Sequence, residues 1–192
     1  ETVRCQVGNR RLGDERMRSL LGTADPVPHK HEVPRHVRRP GPADVKGYEN
    51  DPNIVKMINP SAQDVEQLFK LKLVGFNNRR YDNHILYAAY LGYSIEQLYQ
   101  LSQKIISGNV GSMFGEAYNL SHADILDFSS VKMGLKKFQI LYGIHHQEMD
   151  IPWDQDVKPE DVPRVIDYCC NDVMSTEVVL DKREQDYVAR KI

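Results

Sequence analysis

The stretch Leu73-Val74-Gly75-Phe76-Asn77-Asn78-Arg79-Arg80-Tyr81-Asp82 decides the fold class of this chain. Counted from Leu71, the run to Phe76 is short, apolar and closed by two asparagines, the pattern of a strand buried on both faces. The spacing then changes. A helix is expected to start near Tyr81 or Asn83 and to run to Tyr90 or Leu91, where Gly92 ends it. Asp82 therefore stands just past the C-terminal end of a buried strand, where open α/β sheets form their ligand crevices.

The flanking chain repeats this alternation. Upstream, Ala62 to Lys70 reads as a short helix with Ser61 as N-cap and Val65, Leu68 and Phe69 on one face. Downstream, Ser94 and Gln97 form a capping box that opens a helix reaching about Ile106. Ala123 to Phe128 has strand character. Gly134 to Tyr142 carries Leu135, Phe138 and Leu141 at helical spacing before Gly143. Ile144 to Val157 is expected as loop, with Trp153 either anchoring it by packing or stacking on a base. A long helix should follow from Pro159 to Val188, with Val162, Ile166, Cys169, Val173 and Val179 on its buried side. Strands alternating with helices make an α/β domain.

At 192 residues and 41% hydrophobic content, the chain suits one domain with a full core and an appended arm. The division is expected at 1–46, a basic, proline-rich arm or irregular segment, and 47–192, the folded domain. Up to Lys46 there are ten Lys or Arg against six Asp or Glu; after it the balance is fifteen against twenty-one. Pro26 to Pro42 holds five prolines and no apolar period, so it reads as extended loop. Such a segment either contacts nucleic-acid phosphates through its Arg and Lys or is a solvated connection. His29, His31 and His36 fall within it and have no metal-binding pattern. No apolar run is long enough for a membrane span, and no signal peptide is recognisable. Cys169 and Cys170 are adjacent and Cys5 is separate, which favours a reducing, cytoplasmic setting. The chain opens at Glu1 rather than Met, so either a fragment or a processed product is expected.

A second stretch, Tyr168-Cys169-Cys170-Asn171-Asp172, carries the other candidate chemistry. Tyr168 and Asp172 are four residues apart, so both emerge on one helix face. A carboxylate there can hold a metal ion while the phenol orients an attacking water. Mg²⁺ prefers hard oxygen ligands, and two divalent ions about 4 Å apart can activate water and stabilise the leaving oxygen of a phosphodiester. Each stretch also has a plainer explanation: an amphipathic helix with a solvated carboxylate, or a strand-end turn in which Asn and Asp cap backbone groups.

In order and spacing the two stretches together resemble the second and third motifs of the DEDD superfamily of 3′→5′ exonucleases, in its tyrosine-bearing branch. Asp124-Ile125-Leu126-Asp127 followed by Gly134-Leu135-Lys136-Lys137 is similar to that family's middle strand and helix. Leu141-Tyr142-Gly143-Ile144-His145-His146 resembles bacteriophage members, either free-standing exonucleases or proofreading domains of family-A-type DNA polymerases. The likeness runs from about Leu71 to Ile192. It implies a ribonuclease H-like fold and removal of nucleotides from DNA 3′ ends with two Mg²⁺ or Mn²⁺ ions. Asp82 and Asp172 would be metal ligands, Tyr168 the water-orienting group and Asn78 a contact to the 3′-terminal nucleotide. Arg79, Arg80, Lys136 and Lys137 would be candidate phosphate contacts. A single-stranded DNA 3′ end is the implied substrate, with a polymerase domain in the same or another chain as a possible partner.

One part of the family pattern is missing. The first motif is an Asp-x-Glu on an opening strand, and Asp64-Val65-Glu66 is the only such triplet in this sequence. It falls inside the helix just ahead of the second motif and reads as a solvated helix face. Asp14-Glu15 would point to opposite faces of a strand. The chain is accordingly expected to lack its first strands and part of its metal site. The alternative is a non-catalytic nucleic-acid-binding module that keeps the fold without a complete site. His145-His146 lacks further ligands at metal spacing. Asp124 and Asp127 either add to the acidic cluster or serve as strand-end structural residues, the second reading being preferred.

Overall fold

The structure is a computed structural model that describes residues 3–8, 21–24, 54–146, 148–149, 151 and 157–191. The proline-rich run Pro26 to Pro42, with His29, His31 and His36, lies outside these residues, as do Asp14, Glu15 and Trp153. The architecture is mixed α/β, mostly helical with short parallel strand pairs. Within the segment read as an arm, Val3–Gly8 forms β1 and Leu21–Ala24 forms β2. They pair antiparallel, and β1 also pairs in parallel with β3, Ile54–Ile58. The sequence reading passed over β3, although its Ile-Val-Lys-Met-Ile run between Asp51-Pro52 and Asn59-Pro60 carries ordinary strand signals.

The decisive stretch forms β4, Leu73–Gly75, which pairs in parallel with β5, His122–Asp124. Its side chains divide between two cores, as expected of a strand covered on both faces. Leu73 joins Val65 and Leu68 of α1 (Ala62–Phe69), Ile85 and Leu86 of α2 (Asp82–Tyr90), and Leu101 and Ile105 of α3 (Ile95–Ile106). Val74 and Phe76 join Ile125 and Phe128 of α4 (Ile125–Phe128), Phe138 of α5 (Leu135–Tyr142) and Val179 of α6 (Val162–Lys182). Each such side chain, taken fully out of water, contributes about 1.5–3 kcal/mol.

Local signals hold where they are short-range. Ser61 caps α1 through the Asp64 amide, and Asp64 returns the bond to the Ser61 amide at 2.9 Å. Ser94 and Gln97 make the expected reciprocal box at the start of α3. Three expectations are corrected. Ala123 to Phe128 is not one strand: β5 ends at Asp124, whose carboxylate accepts from the Leu126 amide and starts the helical turn α4. Leu141 is exposed, and the inward stripe of α5 is instead Leu135, Phe138, Gln139 and Tyr142. The long helix breaks at Arg183, after which α7 (Glu184–Lys191) begins. The bend lets Tyr187 meet the Phe128 ring at 5.1 Å and the Lys72 ammonium at 2.8 Å. No helix among the described residues is long and apolar enough to cross a membrane.

Candidate functional site

The turn after β4 is built around one carboxylate. Asp124 Oδ1 accepts from the Asn77 amide at 2.8 Å and the Leu126 amide at 2.9 Å, and its Oδ2 accepts from the Arg79 amide at 3.0 Å. Burial pushes the Asp124 carboxyl above its ordinary value; the three amide bonds pull the other way, while nearby Asp127 adds to the rise. This confirms the strand-end role read for Asp124. Asn77 adopts the left-handed conformation, φ 61°, which an Asn tolerates better than most residues. Gly75 is required by the same turn: a Cβ there would stand 2.8 Å from both Cβ and Cγ of Asn78. Glycine inside a strand signals this close approach, so the residue was findable from sequence.

Asn78 and Asp82 follow from this turn, both buried, with Asp82 2% exposed. Between them Tyr81 is fixed by a 2.6 Å bond between its hydroxyl and Ser102 Oγ of α3, which sets where α2 begins. Buried polar groups continue into α2. Oδ1 of Asn78, both amide atoms of Asn83 and Nε2 of His84 are buried without a hydrogen bond. His84 Nδ1 accepts from the Phe114 amide at 3.1 Å, so the ring is neutral with its proton on Nε2. Burial holds His84 below its ordinary value, and the Arg79 backbone acts against that fall.

The other half lies on α6. Tyr168 and Asp172 are 2% and 6% exposed and sit one helical turn apart. Tyr168 packs with Val165 and Cys169, and Met149, Ile151 and Val157 close over that group. Asp172 Oδ1 accepts from Gln139 Nε2 at 3.2 Å. Val179, two turns beyond Asp172, shares its core with Val74 and Phe76, so α6 and the strand leading to Asn78 pack on common ground.

The basic candidates are more dispersed. Arg79 pairs with Asp127 at 3.0 Å and lies over the Tyr118 ring at 5.7 Å. Arg80 and Lys137 are exposed. Lys136 bonds to Glu148 at 3.0 Å. Asp64 and Glu66 are exposed on α1, as read for that Asp-x-Glu, and Asp64 is engaged in its cap. The sequence reading missed Gln139, His146 and Glu148 as a group. Gln139 alone carried a signal, being the polar residue at i+4 from Leu135 on the inward stripe of α5.

For a divalent cation the donor chemistry fits in kind, since Asp82 and Asp172 are buried carboxylates that offer hard oxygen. Among the described residues there is no group of three or more His, Cys, Asp or Glu that could hold a metal ion. Compared with family models, curated proteins and solved structures, the chain finds no match.

Proposed function

We propose that this chain is a ribonuclease H-like domain of a metal-dependent 3′→5′ exonuclease that removes nucleotides from DNA 3′ ends. One observation carries the reading. A phenol and a carboxylate are both buried one turn apart on α6, and a second carboxylate is buried just past the C-terminal end of parallel strand β4. A carboxylate loses much of its hydration when buried, so protein interiors retain one where donors or a cation face it. The parallel β4–β5 pair with helices on both faces suits this family's fold, and Asp82 begins α2 past the C-terminal end of β4, the side on which open α/β sheets bind ligands.

In this reading Asp82 and Asp172 hold Mg²⁺ or Mn²⁺. The ions would supply water activation and charge neutralisation at the leaving oxygen. Tyr168 orients the attacking water through its hydroxyl, and the apolar group formed by Met149, Ile151 and Val157 shields that phenol from bulk solvent. Asn78, set by Gly75 and the Asp124 clamp, offers a buried amide to the terminal nucleotide. Of the four basic candidates, Arg79, Arg80 and Lys137 are exposed and Lys136 is half-buried; for phosphate contact Arg79 and Lys136 would have to exchange their carboxylate partners.

A second reading, a nucleic-acid-binding module without catalysis, is favoured by the lack of a third acidic ligand among the described residues. The two are separated by the polarity of degradation. The exonuclease shortens a 5′-labelled single strand stepwise in Mg²⁺ or Mn²⁺ and stops at a 3′-terminal phosphorothioate. A binding module retards the same strand in a gel with or without metal and leaves its length unchanged.

A further inference from the structure

We infer that Gln139 and His146 are positioning residues for Asp172, joined with Glu148 in a charged hydrogen-bond chain that holds the Asp172 carboxylate in one orientation. What Asp172 does rests on the exonuclease reading; that it is held this way follows from donor and acceptor chemistry.

Gln139 is 1% exposed, and each of its amide atoms has a defined partner. Its Nε2 lies 3.2 Å from Asp172 Oδ1 and 2.9 Å from Ser175 Oγ. The Ser175 hydroxyl donates to the Asn171 carbonyl at 2.7 Å, so toward Gln139 it can only accept. An ionised carboxylate also only accepts. Both partners therefore require the amide nitrogen, and Gln139 Oε1 must face the other way, toward His146 Nδ1 at 2.8 Å. That ring nitrogen must donate. The second, His146 Nε2, lies 2.6 Å from Glu148 Oε1, another acceptor, and must donate as well. The two bonds exist together only with the imidazolium form of His146.

The charges around the ring agree with this. Glu148, on the segment after α5, is shared between His146 and Lys136, whose ammonium lies 3.1 and 3.0 Å from its two oxygens. Asp172 faces the ring from α6 across the Gln139 amide. The segment is docked to α6 a second time by Asn171 Nδ2, which donates to the His145 carbonyl at 3.2 Å. A neutral His146 has one N–H and must give up either Gln139 or Glu148 as an acceptor. Loss of the first frees the Gln139 amide to turn and removes the Nε2 bond to Asp172 Oδ1.

Two measurements on the full chain test this. In the ¹⁵N spectrum both His146 ring nitrogens should carry protons, as the two hydrogen bonds require, and Gln139→Leu and His146→Leu should each shift the Asp172 ¹³Cγ resonance. For nuclease activity, each variant should lower kcat about tenfold with KM for DNA within about twofold, and the double variant should lose no more than either single one. Losses that multiply, a neutral His146 ring, or an Asp172 resonance unmoved by either substitution would overturn the assignment. If the parent chain has no nuclease activity, the exonuclease reading fails, and the spectra still decide whether the chain of bonds holds Asp172.

Discussion

The turn that carries Asp82 is held by backbone groups, whereas the helix face that carries Asp172 is held by side chains that lead out to the surface. In the first, one buried carboxylate, Asp124, takes three amides, and Gly75 leaves room for Asn78. In the second, Gln139, His146 and Glu148 stand one after another between Asp172 and solvent. The first arrangement is set by main-chain geometry and yields little short of local unfolding. The second depends on protonation and on a surface ion pair, so changes at residues remote from Asp172 reach it.

The largest effects are expected where the two halves are equivalent. Asp82→Asn and Asp172→Asn should each reduce nuclease activity by more than about 100-fold, beyond what loss of an outer-shell partner produces. Thermal melting should show both variants folded. An Asp82 variant with full activity would leave the α6 face as the only functional half and break the comparison.

Next come the clamps of the backbone-held turn, read by urea denaturation. Asp124→Asn offers a donor where the carboxylate accepted and should destabilise by about 3 kcal/mol. Gly75→Ala should destabilise by about 1–3 kcal/mol through contact with Asn78. Asp124 also gives a pH signature. Burial raises its folded-state value above the ordinary 3.8, so the folded protein binds the proton more tightly than the unfolded chain. Its contribution is therefore largest in acid and declines as pH rises from about 3.8 through the raised native value. Asn at this position should flatten that slope.

How much of this was legible in the sequence follows the same division. The strand over Leu73–Gly75, the helix that starts at Asp82 and the reciprocal cap of Ser94 and Gln97 depend on neighbours a few residues apart, and the sequence shows them. The sequence also placed Asp82 at a strand end and set Tyr168 and Asp172 on one helix face. The hydrogen-bond chain was not legible. Gln139 and Asp172 are 33 positions apart, and only the packing of α5 on α6 brings them together. The split of Ala123 to Phe128 was hidden for a related reason. Strand-like residues there are overridden by the Asp124 side chain, which caps a turn while holding a loop 45 residues upstream.

A smaller catalytic effect should come from the phenol. Tyr168→Phe removes one hydrogen-bonding group and should lower kcat about tenfold with little change in KM. An unchanged rate would make Tyr168 a packing residue beneath Met149 and Ile151 and weaken the α6 half of the comparison.

The smallest effect belongs to His84. Burial lowers its folded-state value below the ordinary 6.5, so the unfolded chain binds the proton more readily. The resulting stability is complete above about 6.5 and is lost as pH falls through that value toward the lowered native one. His84→Gln, which can still accept from the Phe114 amide, should remove this dependence when denaturation is followed between neutral and mildly acidic pH.

The most direct test of the central claim is a time course of a 5′-labelled DNA strand in Mg²⁺ or Mn²⁺, run side by side for the full-length parent protein and its Asp82→Asn and Asp172→Asn variants. The account predicts stepwise shortening from the 3′ end by the parent and an unshortened strand with each variant. Equal shortening by all three proteins, or none by the parent in either metal, would contradict it.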